Sequence, residues 1–348
     1  MTGPWQGFAF CPLWRGWIST RWRNTTHSQK NRRNKDMHKV FQGPKGIVLI
    51  GAILGIGAIL LTANGNPGNM AICAACFIRD IAGALHLHDA AAVQYLRPEI
   101  LGIIFGAFLI SLQSKEFAAQ RLRARGLALR FLLGVVMMIG SLIFLGCPLR
   151  MIFRLSAGDL NALMGLAGFL AGIATAVPFL HRGFDLGQSA PVPKPTGGIM
   201  PGLILLLIVL GFAAPGIFAQ SESGPGSMHA PILLSLGVGL VFGIFCQIGA
   251  VCTSGAFRDI FIAKSPARVL PLGIIFFVML AYNVITGKFH LGFGVADFVQ
   301  PIAHSNYLWN FLGLYAVGFA ATLASGCPLR QMVLAGQGHI EAVVTFLG

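Results

Sequence analysis

The sequence predicts an all-α polytopic membrane protein: an inverted repeat of transmembrane helices with short re-entrant half-helices. Three observations predict it. Hydrophobic residues fill 55% of the 348 positions and charged residues only 10%, where a soluble domain carries about 25% charge. Mean hydropathy is +0.74. The chain also repeats itself. Cys73-Ala-Ala-Cys76-Phe-Ile-Arg79-Asp80 returns as Cys252-Thr-Ser-Gly255-Ala-Phe-Arg258-Asp259, and Gly146-Cys147-Pro148-Leu149-Arg150 returns as Gly326-Cys327-Pro328-Leu329-Arg330. Cys252 follows Cys73 by 179 residues and Cys327 follows Cys147 by 180. Paired motifs in two halves of a membrane protein point to a substrate path at the repeat interface.

The elements follow in order. Residues 1–45 form a basic leader: Arg15, Arg21, Arg23, Lys30, Arg32, Arg33, Lys35, Lys39 and Lys45 stand against Asp36 alone. Such a leader reads as a cytoplasmic anchor or a targeting segment. Alternatively, residues 1–36 are upstream sequence before a start at Met37. Apolar runs long enough to cross about 30 Å of hydrocarbon fall at 46–62, 99–113, 127–145, 160–180, 200–219, 231–247, 268–284 and 308–325. After the first span, Asn64-Gly65-Asn66-Pro67-Gly68-Asn69 reads as a turn. The stretch 70–85 is apolar but interrupted by Arg79-Asp80, which predicts a re-entrant half-helix, because irregular backbone survives at depth only inside protein or beside a cavity. Residues 248–263 are its counterpart. Pro148 and Pro328 predict two further short helix starts, since proline suits the first helical position.

Charge sets the expected topology. The loop 114–126 carries Lys115, Arg121, Arg123 and Arg125, which places it and the amino terminus in the cytoplasm. A first repeat over 46–180 is followed by a linker and an odd helix over 181–230, which reverses the second repeat, 231–348. The region around Arg258, Lys264 and Arg268 then becomes internal, and 285–307, with only Lys288 among lysines and arginines, external. The second repeat ends at Gly348, short of most of its final helix, so the sequence reads as truncated there.

The chemistry rests on the paired motifs. Of seven cysteines, six lie at or near membrane depth, so a secreted disulfide scaffold is not implied. A single buried cysteine is ordinarily a small hydrophobe. Four in matching places, Cys73, Cys147, Cys252 and Cys327, point instead to a file along one path, because a thiol is a weak donor and soft acceptor suited to a polarizable anion. Arg79, Arg150, Arg258 and Arg330 are costly at membrane depth and mark function by default. Arg79 with Asp80 and Arg258 with Asp259 also fit a purely structural role as ion pairs that lock the half-helices. His86, His88 and Asp89 have metal-like spacing without a fourth ligand and read as an external polar rim, so no metal and no cofactor are expected. Cys73-x-x-Cys76 is the one redox-like motif, and Gly255 replaces its second cysteine in the other copy.

The stretch from Gly65 to Leu85, the two Gly-Cys-Pro-Leu-Arg motifs and the segment Cys252–Asp259 resemble the YeeE/YedE family of membrane transporters, and most closely its YedE branch, which is associated with selenium transport. The resemblance covers about 40–348. It implies a bacterial inner-membrane, multi-pass carrier, not an enzyme, that moves a small sulfur- or selenium-containing anion such as thiosulfate. Its cysteines would hand the anion along by S–H hydrogen bonds, with the matching positions at Cys73, Cys147, Cys252 and Cys327. The lipid bilayer and a cytoplasmic sulfur- or selenium-transfer protein are the implied partners, and nucleic acid is not one. The rival reading is a membrane thiol oxidoreductase using Cys73 and Cys76.

Overall fold

Backbone amides have no partner in hydrocarbon, so a chain this apolar must satisfy them within helices. The computed structural model describes residues 43–293 and 303–348, whose regular structure is almost wholly helical. The basic leader up to residue 42, with Cys11 and Met37, and part of the 285–307 connection lie outside the described residues.

The first copy contains α1 (Pro44–Ala63), α2 (Ala74–Ala84), α3 (Pro98–Gln113), α4 (Ala124–Phe144), α5 (Pro148–Ser156) and α6 (Asn161–His181). A connection follows with one turn, α7 (Lys194–Gly197), and α8 (Ile199–Ala213). The second copy contains α9 (Ile232–Ile248), α10 (Thr253–Ala263), α11 (Leu270–Ile285), α12 (Tyr307–Leu323), α13 (Pro328–Gly336) and α14 (Ile340–Leu347). Two-residue strands, β1 (Gln120–Arg121) and β2 (Ala190–Pro191), pair antiparallel and tie the connection to the loop after α3.

Among the described residues, 7 helical stretches are long and apolar enough to cross a membrane. The protein is therefore an all-α, multi-pass membrane protein. One expected span is shorter than the sequence suggests. The apolar run 200–219 yields a helix only to Ala213, because Ala214 takes φ −144°, ψ 62° and Pro215 opens a separate turn. At 1.5 Å per residue, α8 is about 22 Å long.

The packing repeats with the sequence. The contact of α3 with α9 is matched by that of α11 with α1, α6 with α12 by α14 with α4, and α5 with α11 by α13 with α3. Even the irregular backbone follows: Gln120 bridges His339 in one place and Asp159 bridges Gly292 in the other. In lipid, close helix approach depends on small residues. A Cβ on Gly102 would sit 2.6 Å from the Leu236 carbonyl oxygen. Gly243 lies equally tight against the Ile103 carbonyl, and Gly168 and Gly172 against those of Phe311 and Tyr315. These contacts bring α3 onto α9 and α6 onto α12, and one continuous apolar core encloses all six described cysteines.

Candidate functional site

Each of the four paired cysteines is the N-cap of a short helix: Cys73 of α2, Cys147 of α5, Cys252 of α10 and Cys327 of α13. The sequence builds these starts in two ways. Cys73 and Cys252 are extended residues whose sulfurs accept the backbone N–H three residues on, from Cys76 at 3.4 Å and Gly255 at 3.3 Å. Cys147 and Cys327 precede proline, which has no N–H to leave unpaired at the first helical position. A helix N-terminus presents unpaired N–H groups and the positive end of the macrodipole. All four thiols therefore sit where negative charge is favoured.

The sulfurs gather in two groups. In the first copy, Cys73 Sγ lies 3.0 Å from Cys76 Sγ and accepts the Cys147 N–H at 3.4 Å. In the second, Cys252 Sγ lies 3.8 Å from Cys327 Sγ and 3.4 Å from Ser254 Oγ. The four short helices also meet crosswise, α10 with α5 and α13 with α2. A cavity of about 200 Å³ lies beside two of them, lined by Ala75, Ile78 and Ala82 of α2 and Pro328 and Gln331 of α13, with Met137 and Met138 of α4 and residues 345–348. The cysteines are at most 7% exposed, so this conformation is closed to solvent.

The arginines separate by role. Arg150 is fully buried and points back to its own cluster: Nη1 lies 3.6 Å from Cys76 Sγ and also donates to the Leu145 carbonyl, and Nη2 donates to Asn69 Oδ1 at 3.2 Å. Arg330 instead reaches Gln247 Oε1, at 3.5 Å. Arg79 and Arg258 pair with their neighbours Asp80 and Asp259 at 2.7 and 3.3 Å. The aspartates do more than the sequence suggested. Asp80 is fully buried and also binds Arg97 at 2.8 Å, while Asp259 also binds Arg268 at 2.9 Å. Each half-helix is thus held by two arginines on one carboxylate.

Several site residues escaped sequence reasoning. Arg97 has no exposed side chain, stacks on Phe77 with its guanidinium carbon 4.4 Å from the ring centroid, and donates to the Met228 and Pro225 carbonyls. Its only signal was an arginine directly before the proline of a span. Arg154 pairs with Asp159 at 2.7 Å beneath α5. Asn69 lies in a segment that a turn accounted for. Arg150 orients its amide, and its Nδ2 is buried with no partner among the described residues. Cys76, set aside for its absence from the second copy, belongs to the first sulfur group. His88 is half-buried, and its Nε2 lies 3.0 Å from the Arg79 carbonyl oxygen. His86 Nε2 lies 3.3 Å from the Ile217 carbonyl oxygen.

A membrane-embedded helical scaffold that gathers thiols at helix N-termini defines a class of polytopic membrane proteins built around a buried polar centre. A family model described as sulphur transport matches residues 2–175 and 248–348, and the chain belongs to that family, the YeeE/YedE sulphur transport family. The matched residues contain all four paired cysteines and both Arg-Asp motifs. No curated protein matches the chain. The family is one of sulfur-compound transport across a membrane.

Proposed function

We propose that the protein carries a small sulfur- or selenium-containing anion, of the thiosulfate or selenium-compound type, along a path formed by Cys73, Cys147, Cys252 and Cys327. The observation that carries this reading is that all four cysteines cap short helices and meet as two buried sulfur groups. Thiols at helix N-termini favour an anion without the tight pairing of an ammonium group. A carrier needs that balance, since it must admit its substrate and still release it. Arg150, with Arg79 and Asp80, sets the potential at the first group; Arg330, with Arg258 and Asp259, sets it at the second. The exchange of contacts between the copies supports an inverted repeat, in which the two half-helices enter from opposite faces. The basic loop 114–126 supports a cytoplasmic amino terminus in a bacterial inner membrane. Release on that side is where a cytoplasmic sulfur- or selenium-transfer protein would collect the cargo.

The test is uptake of radiolabelled thiosulfate and selenite by cells lacking their own carriers. The intact chain, Cys147→Ala and Cys327→Ala are compared at equal membrane expression. Uptake by the intact chain that either substitution abolishes supports the path and ranks the two substrates. Uptake that survives both substitutions refutes the cysteine path, and no uptake of either anion refutes the substrate assignment.

A further inference from the structure

Four carboxylates are buried among the described residues: Asp80, Glu99, Asp159 and Glu341. Asp80 and Asp159 bind arginines, and Glu341 lies 3.6 Å from His339. Glu99 differs. It has no exposed surface, and its Oε1 accepts only neutral donors, Asn66 Nδ2 at 2.8 Å and Ser235 Oγ at 3.1 Å. Its Oε2 is buried with no partner among the described residues. The nearest arginine in sequence, Arg97, is committed elsewhere, to Asp80 and to the Met228 and Pro225 carbonyls.

The repeat shows that the fold does not require this carboxyl. Arg97-Pro98-Glu99 at the start of α3 matches Leu270-Pro271-Leu272 at the start of α11. Leu272 is likewise buried there, and a proline again falls within the first two helical positions. An acid retained in one copy at membrane depth, without a counter-ion, is a functional group by default.

Its partners connect it to the sulfur path. Asn66 donates from the same amide nitrogen to the Ala71 carbonyl, two residues before Cys73, and its Oδ1 accepts the Ala230 N–H. Ser235 belongs to α9. Glu99 therefore joins the segment leading into the first cysteine half-helix to a helix of the other copy. The charged and titratable groups on the surrounding elements are Cys76, Arg79 and Asp80 on α2, Arg97, Tyr95 and His229 near the start of α3, Cys246 on α9 and Arg330 on α13; α8 contributes none.

We propose that Glu99 is the proton-binding site that couples anion movement to a proton gradient. This rests on the transport reading above. A proton from the entry side bonds to Oε2 and neutralises the carboxylate as the anion reaches the Cys73 group. The same O–H bond breaks toward the exit side when the anion leaves. One proton enters and one departs, and no electrons move. Loss of the charge weakens Oε1 as an acceptor and so loosens its hold on Asn66 and Ser235.

The test uses the purified full chain in liposomes, with radiolabelled thiosulfate taken up under an imposed inside-alkaline gradient or in gradient-free counterflow. The expected result is a several-fold gradient stimulation in the wild type that is absent from Glu99→Gln and from Glu99→Leu, the residue of the matching position. Both variants should retain counterflow, whereas Cys147→Ala should lose it. Gradient stimulation in either variant equal to that of the wild type overturns the proposal, as does wild-type transport that ignores the gradient. If the wild type moves no sulfur anion, the transport reading fails and infrared titration decides the site alone. A protonated-carboxyl band that grows on acidification and is missing from Glu99→Gln supports a proton site, and its absence overturns one.

Discussion

A cysteine is a poor choice of N-cap where stability alone is at stake. Serine, aspartate and asparagine are preferred there because their oxygens accept the free N–H groups more strongly. The protein nevertheless places cysteine at four helix starts, two of them with the sulfur as acceptor. Cys73→Ser and Cys252→Ser should therefore leave thermal stability unchanged or raise it by up to about 1 kcal/mol, while uptake falls. Unfolding in detergent and uptake in cells measure the two effects separately. Cys76 tests the redox alternative: a dithiol enzyme fails without it, whereas a carrier with Cys76→Ala should keep far more uptake than Cys147→Ala. Asn69 offers a buried Nδ2 without a partner among the described residues, beside Arg150. A donor left so costs roughly 1–3 kcal/mol unless something supplies an acceptor, and an anion's oxygen can supply it. Asn69→Ala should raise KM for uptake about tenfold, equivalent to about 1.4 kcal/mol, measured at equal membrane expression.

At the scale of elements, the half-helices depend on buried ion pairs and tight turns. Asp80 holds Arg79 and Arg97 at once, with no exposed surface of its own. Asp80→Asn strands the buried Arg97 and the half-buried Arg79, and breaking a buried pair costs roughly 3–5 kcal/mol. A lower midpoint in detergent melts would show it, and adding Arg97→Met should recover part of the loss. Gly65 is needed for another reason: it takes φ +121°, and a Cβ there would lie 2.7 Å from the His229 carbonyl oxygen. The helices themselves were legible as apolar runs, and the short ones at Cys147 and Cys327 as proline starts. The early end of α8 was not, because hydropathy runs on past Ala213 while the backbone turns.

For the molecule as a whole, the proposed inverted repeat predicts that loops at corresponding places face opposite sides of the membrane. Ser114→Cys and Lys288→Cys, each in a Cys11→Ser background, should react with a membrane-impermeant thiol reagent from opposite faces. The six described native cysteines are buried and should stay silent. Labelling of both positions from the same side would refute the inverted arrangement.

Composition and periodicity by themselves determined that this is a helical membrane protein in two related copies, because hydrocarbon leaves an apolar chain no other way to satisfy its backbone. The repeated motifs also identified the four cysteines. Only the tertiary structure decided how those residues combine. That Cys76 joins the first sulfur group, that Arg97 shares Asp80 with Arg79, and that Glu99 meets Asn66 and Ser235 all depend on side chains distant in sequence. Periodicity records which face of a helix is apolar. It does not record which buried charge finds a partner, since that follows from where neighbouring helices cross.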